Sequence, residues 1–578
     1  MKVGTYTALG GFLLLVVGGI IAWRLCQDPH YARSDQVLRD SVNRVAPALT
    51  ETSITEASAP LPMRQAYVPV KVQTSAPMRS VHSPEKLVKR RPATAQSDRE
   101  AIPGEWILRF KNRGDMEAFL GTAASRKAHI MDIIPGLNAV RVGAESRDDL
   151  LALVGDGDAL LESVPNYYSH LPRAPSAQQP QTEPPGGYKG FGVEAMSWLG
   201  VNGDRSKWGQ GVKVAVLDSG VGQCPAINEE KIARLDLLKG EASPVVGGSD
   251  HATAVTAILA GSIPGYEGMA PSTQILSIRI VGADGKGDTF TLAKGIEEAI
   301  AQDVRIINLC VGSRADCALV QQAINDAIAK GIVVVASVGN DGAEGVSYPA
   351  KYDGVVAVTA VDANRNHLYF ANEGPEVGLS APGLDIWARY STNTAMRFSG
   401  TSASVPFVSG ALAGILSLEP GLKAQDAVSL LLKYSDDAGS PGKDSEFGSG
   451  VIDPQRVIDR QVKGFNDIAL ADNCLVVPPG PDAAPPFVIV SVQNRGTERL
   501  AGAELRVKIG AGSTSVNLPA IDVGETVGIR FLLPGDKYAL QSGITVLSTV
   551  ILTGVKDDKP ANNVKQSLLI APVAGVIK

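Results

Sequence analysis

The chain has 578 residues, room for three to four domains at roughly 150 residues each and ample for a sizeable core. Its 54 basic and 60 acidic side chains leave a net charge of −6, so no global basic field would draw in nucleic acid. Sixty-one glycines and 36 prolines against only 5 cysteines exclude a disulfide-dense mini-domain and predict turn-rich domains joined by linkers, with at least one cysteine unpaired within the chain.

Residues 1–27 contain an uncharged run from Val3 to Trp23, long enough to cross a hydrocarbon core of about 30 Å as a helix. A signal peptide competes with an anchor here, since Lys2 supplies a basic start and Ile20 and Ala22 stand where a cleavage site would need small residues. Bulky Trp23 and Arg24 would follow the cut, and the run exceeds the usual core of about 7–15 residues, which favours an uncleaved single-pass anchor. Residues 28–100, rich in Ala, Ser, Thr, Pro and Val, read as a disordered tether with a solvated basic cluster at Lys86, Lys89, Arg90 and Arg91.

Residues 101–173 run strand, helix, strand, strand, helix, strand. EWILRF, HIMDII, LNAVRV and ALLESV are the strands; RGDMEAFLGTAASR and RDDLLALVG are the helices. That is the split βαβ order of a small ferredoxin-like α+β domain. Residues 174–189, crowded with Pro and Gln, form a linker open to proteolysis. From 190 to 463, continuous β-branched runs (VKVAVL, QILSIRIV, RIINLCV, GIVVVAS, GVVAVTAV) alternate with helical spacing in TLAKGIEEAIAQ and ALVQQAINDAIAK. Such strands mean an α/β fold, a mostly parallel sheet with helices on both faces. Residues 464–578 read instead as an all-β sandwich, with strands in FVIVSVQNRG, ELRVKIG, TVGIRFLL and TVLSTVILTG.

Three residues of the α/β region suggest acyl-transfer chemistry. Asp218 ends the run VKVAVLD, at the carboxyl edge where open sheets build their sites. His251 follows a glycine pair on the first turn of an apolar helix, and Ser402 follows Gly400 and Thr401 where another helix begins. A serine hydroxyl is a weak nucleophile until a base takes its proton, and the base needs an acid to fix its tautomer. The α/β region has two histidines, and His367 lies in the polar stretch NRNHLYF, which leaves His251 as the base. Each residue alone is better read as a helix cap or strand end; the three together are not.

At LDSG, DHATAVTAILAG and GTSASVP the sequence resembles the subtilisin-like serine peptidases, whose catalytic residues come in the order Asp, His, Ser. The resemblance extends through GMAPSTQILSIRI, RIINLCVG and VSYPAKYDGVVAV. It implies a serine endopeptidase with Asp218, His251 and Ser402 as triad, and with the Asn340 amide and the Ser402 backbone N–H as oxyanion hole. It also places Cys310, Val311, Gly312, Ser337, Val338 and Gly339 along the substrate pocket, with Ser347 near its base. Val338 stands where a smaller residue is usual, so it either narrows the pocket or simply packs. Ala252 replaces the glycine that usually follows the histidine, which suggests a reset turn; Ala403 replaces a methionine.

No cofactor and no metal are expected: the loop SIPGYEG offers a single carboxylate, Glu267, where calcium wants six to eight oxygens. Cys310 and Cys317 flank a short loop, either bridged or as buried thiols. Cys224, a few residues past Asp218, could modulate the site.

By the same resemblance, 101–173 looks like an inhibitory propeptide acting on its own enzyme, with self-cleavage expected between about Ser169 and Gly187. The C-terminal region resembles CARDB-type immunoglobulin-like modules of exported proteins, which bind protein partners or stabilise their neighbours. Together these imply a peptidase acting on proteins or peptides in the cell envelope, anchored by its N-terminal helix with the catalytic domain on the exported side, and possible release after processing. The alternative is a membrane-tethered scaffold whose peptidase fold cuts at most itself.

Overall fold

The computed structural model describes residues 69–70, 100–154, 159–172, 187–238, 250–263, 266–389, 395–478, 484–533 and 543–570. Everything described here lies in one compact unit, Tyr67–Lys578. The expected anchor, nearly all of the tether and most of the linker lie outside the described residues.

The first layer is built as its pattern dictates. Strand β1 (Ala101–Phe110), helix α1 (Arg113–Ala123), strands β2 (His129–Ile134) and β3 (Ala139–Gly143), helix α2 (Arg147–Val154) and strand β4 (Leu160–His170) follow one another. The sheet order is β2-β3-β1-β4, antiparallel throughout. Asn112 caps α1 by accepting from the Asp115 N–H at 3.0 Å. The helix ends three residues before its sequence pattern does, because Lys127 turns to φ 56° and the Ala128 N–H closes back on the Ala123 carbonyl at 2.9 Å. Leu108, Phe110, Phe119, Val140 and Leu150 fill its core.

A seven-stranded, wholly parallel sheet comes next in the chain. Its strands are β5 (Lys213–Asp218), β6 (Ile232–Asp236), β7 (Gln274–Arg279), β9 (Ile306–Leu309), β10 (Val333–Ser337), β11 (Val356–Val361) and β12 (Val377–Pro382), in the order β12-β11-β10-β9-β5-β7-β6. The short strand β8 (Lys286–Asp288) belongs elsewhere: it joins the edge of the first sheet beside β4. Helices α3 (Asp250–Ala260), α4 (Thr289–Ala301), α5 (Ala318–Ala329) and α6 (Thr401–Leu418) cover the parallel sheet, and its central strands are buried on both faces. Among the described residues only α6 is long and apolar enough to cross a membrane, and it is 89% buried as the core helix of this layer. Its Phe407, Leu412 and Ile415 each contribute about 1.5–3 kcal/mol by leaving water.

The last layer has two antiparallel four-stranded sheets. One joins Pro69–Val70 to Thr526–Leu532, Phe487–Asn494 and Ile468–Val476; the other is formed by Gly512–Asn517, Ala503–Ile509, Ile544–Leu552 and Val564–Leu569. Val488, Val490 and Val492 from one sheet share a core with Leu505, Val507, Val546 and Val550 from the other.

Candidate active site

Asp218 is the last residue of β5 and is fully buried. Its Oδ1 accepts from the Ser219 N–H and hydroxyl at 2.6 and 2.8 Å, which fixes the carboxylate plane. His251 lies one residue into α3 with Nδ1 2.9 Å from both Asp218 oxygens. An ionised carboxylate only accepts, so Nδ1 carries the proton and the lone pair is left on Nε2. Phe398 packs edge-on against the imidazole, ring centroids 5.2 Å apart, and steadies the opposite side.

Ser402 stands one residue into α6, buried. Gly400 caps that helix at φ 128°, a conformation that favours glycine, which accounts for the residue at that point. Ser402 Oγ and His251 Nε2 are both buried without a hydrogen-bond partner. The carboxylate–imidazole half of the expected constellation is therefore joined here, and the hydroxyl–imidazole bond is not formed.

Asn340 follows Gly339, past the end of β10. Its Oδ1 accepts from the Thr401 N–H at 3.0 Å and the Thr401 hydroxyl at 2.9 Å, which turns Nδ2 outward. Nδ2 donates to the Pro172 carbonyl at 3.2 Å. The segment before Pro172 lies as a strand in the same cleft. Tyr168, Ser169 and His170 pair antiparallel with Asp288, Gly287 and Lys286. His170 also exchanges both backbone hydrogen bonds with Gly312, each 2.8 Å, and the Leu171 N–H donates to Gly285 at 3.0 Å. The expected end of the last propeptide-like strand at Val164 is thus extended to His170, because the partner strand β8 comes from another layer.

The other residues expected along the substrate pocket divide. Gly312 contacts the strand directly. Cys310 lies behind Ser402, its thiol 3.6 Å from the Ser402 carbonyl, and burial followed by the negative charge of Asp218 pushes it well up, so it stays a thiol. Ser337 ends β10, buried, and Val338 is fully buried in the cluster with Val311, Val346 and Tyr352, which favours packing over narrowing. Ser347 accepts from Asn372 Nδ2 at 3.3 Å, and a Cβ placed on Gly339 would come within 2.6 Å of the Ser347 hydroxyl.

Several expectations are corrected or resolved. Ala252 is an ordinary buried residue inside α3 without positive φ, so it resets no turn: the helix begins before it. His367, in the polar stretch NRNHLYF, is buried with Nε2 2.9 Å from the Thr359 hydroxyl. Cys310 and Cys317 are buried thiols with no bridge, and burial raises the Cys317 thiol too. Cys224 packs among Val221, Ile227 and Ala252. The loop SIPGYEG is described only in part, and among the described residues no group of carboxylates, histidines and cysteines is arranged to hold a metal. Thr401, Phe398, Asn372 and the Pro172 tail also build the site, and of these only Thr401, the threonine of GTS, carries a signal in the sequence.

A parallel α/β sheet that presents a buried Asp, its paired His and a serine at a helix start defines a subtilisin-like serine endopeptidase. Comparison with known proteins agrees. The model of the Subtilase family matches residues 209–450. Subtilisin BL of Lederbergia lenta is 34% identical over 260 residues, 44% of this chain and 92% of the relative. Subtilisin Savinase of the same organism matches to the same extent, and Subtilisin DY of Bacillus licheniformis is 34% identical over 266 residues, 45% of this chain and 92% of its own. The chain belongs to the subtilase family.

Proposed function

We propose that this chain is a self-processing endopeptidase of the cell envelope in which Ser402 is the nucleophile, His251 the base and then acid, Asp218 the group that orients it, and Asn340 with the Ser402 N–H the oxyanion hole. The observation that carries this reading is the Pro172 carbonyl at 3.2 Å from Asn340 Nδ2, the placement of a carbonyl about to be attacked or just released. Ser402 Oγ adds to that carbonyl carbon while its proton passes to His251 Nε2. The C–N bond to Arg173 then breaks, the nitrogen takes the proton and leaves as an amine, and an ester remains on Ser402. Water, deprotonated by the same imidazole, cleaves the ester; Pro172 leaves as a carboxylate and Ser402 regains its proton.

In this reading 101–173 is a ferredoxin-like inhibitory propeptide. Its contacts support it: Asn166 Oδ1 accepts from the Thr289 hydroxyl and the Phe290 N–H at 3.0 and 3.1 Å, so the propeptide satisfies the start of α4. Arg141 bridges Glu105 and Asp288, and Lys294 pairs with Asp132 at 2.8 Å. Residues 464–578 serve as an immunoglobulin-like module for a protein partner, and the Val3–Trp23 run anchors the chain with its enzyme on the exported side, the two cut fragments staying together through the propeptide contacts.

The test compares wild-type protein with Ser402→Ala by denaturing gel and intact mass. Two fragments with a new N-terminus at Arg173 are expected from wild type and a single intact chain from the variant. Identical patterns would refute the proposal.

A further inference from the structure

The tail in the cleft carries information about which bonds this enzyme cuts. Pro172 occupies the position before the attacked bond, because its carbonyl is the one on Asn340. Proline has no N–H, so it adds nothing to the backbone ladder at that point. The register is held upstream instead, by His170 on Gly312 and the Leu171 N–H on Gly285. The loss of one donor is thereby tolerated, and the fixed φ of proline reduces the ordering needed to place the carbonyl.

Gly312, which pairs with His170, and Gly339, which precedes Asn340, both lie against Ser347. A Cβ on Gly312 would lie 3.4 Å from Ser347 Cβ, and one on Gly339 2.6 Å from Ser347 Oγ. Asn372 holds that hydroxyl in place at 3.3 Å and donates to the Val338 carbonyl at 3.0 Å. Leu171, one position earlier, packs half-buried on the apolar cluster of the sheet.

We propose that this endopeptidase cleaves after proline, with an apolar residue such as leucine one place earlier, so that its substrates are extended Leu-Pro segments of which its own Pro172–Arg173 bond is the first. The proposal rests on the Ser402 mechanism above. Attack by Ser402 Oγ breaks the bond from the proline carbonyl carbon to the nitrogen of the next residue, with the proton balance already given.

The test uses self-processed full-length protein, with active sites counted by a fluorophosphonate, on N-acylated Ser-His-Leu-X anilides where X is Pro, Ala, Phe or Arg. kcat/KM for Pro is expected to exceed that for Phe by about tenfold or more, and Ser347→Gly to reverse that order by deepening the pocket. A Phe or Arg anilide cut at least as fast as the Pro anilide by labelled enzyme overturns the specificity alone. Absence of labelling overturns the Ser402 mechanism and this proposal with it. Pro172→Ala separates preference from a brake: self-processing no faster than wild type supports the proposal, whereas a rate about tenfold higher would show that proline is there to slow the cut.

Discussion

Asn340 holds two different partners at its two ends: Oδ1 takes the Thr401 N–H at 3.0 Å and Nδ2 reaches the Pro172 carbonyl at 3.2 Å. In the proposed mechanism the residue beside the nucleophile thus aims the donor for the oxyanion. Loss of one such donor costs about 10²–10³-fold in kcat, a magnitude known for this same family. Asn340→Ala is expected to slow self-processing by that factor, read as the half-time for appearance of the Arg173 N-terminus. Thr401→Val, which keeps the N–H but removes the hydroxyl bonded to Oδ1 at 2.9 Å, should slow it by less.

The Asp218–His251 contact gives a second expectation. With Nδ1 equidistant from both carboxylate oxygens, the imidazole is held in the tautomer that leaves Nε2 free to accept. Asp218→Asn keeps the volume and the capacity to bond Ser219, but its amide favours the opposite tautomer. Peptide turnover should fall by about 10⁴-fold. The melting temperature should move by only a few degrees, because the buried side chain remains hydrogen-bonded.

Much of the site was legible in the sequence because each functional residue sits where the chain changes state. Asp218 ends a strand, and His251 and Ser402 each open a helix, so short motifs mark them. The parallel sheet was legible for a related reason: strands buried on both faces cannot hide polar residues. What stayed hidden depends on pairing between distant segments. The stretch Tyr168–His170 has no strand pattern of its own and becomes one only between Lys286–Asp288 and Gly312. Gly512–Asn517 alternates half-buried and exposed positions with almost no apolar residue, and Ile468–Val476 is interrupted by Asp472 and Asn473, whose polar groups find partners in the fold. The fit of Ser347 against Gly339 likewise appears only in three dimensions.

The ion pairs between the propeptide-like layer and the enzyme bear on the fate of the two fragments once the chain is cut. Lys294 and Asp132 are 2.8 Å apart, with side-chain exposures of 20% and 15%, and removing one partner leaves the other charge poorly solvated. The two fragments are expected to co-elute in gel filtration after self-processing. In Asp132→Ala the complex should be weaker by about tenfold, read as earlier onset of peptide turnover on dilution. Release of the small fragment at equal rates in both proteins would show that the backbone strand alone holds it.

Buried carboxylates at the junction with the last layer predict how stability varies with pH. Asp437 donates its N–H to Gln493 and accepts from the Gly442 N–H at 2.9 Å, and burial above all, with Asp472 nearby, pushes its carboxyl up to about 7. Asp444 is raised by burial and Glu446, and Asp453 is raised to about 6 by burial and Asp436. In the unfolded chain these groups titrate near about 3.9. Between pH 4 and 7 the folded state therefore binds more protons, so stability falls as pH rises through that window. Asp436 acts in the opposite sense, since Arg495, Arg365 and Arg456 outweigh its burial and hold its carboxyl below the usual range; its contribution is lost only as the solution becomes strongly acidic. Asp437→Asn keeps an oxygen for Gly442 while removing the proton uptake. The variant should melt higher than wild type at pH 8, by an amount on the order of a few kcal/mol, and close to wild type at pH 4.5. A difference independent of pH would mean that Asp437 titrates normally and that the junction tolerates its charge.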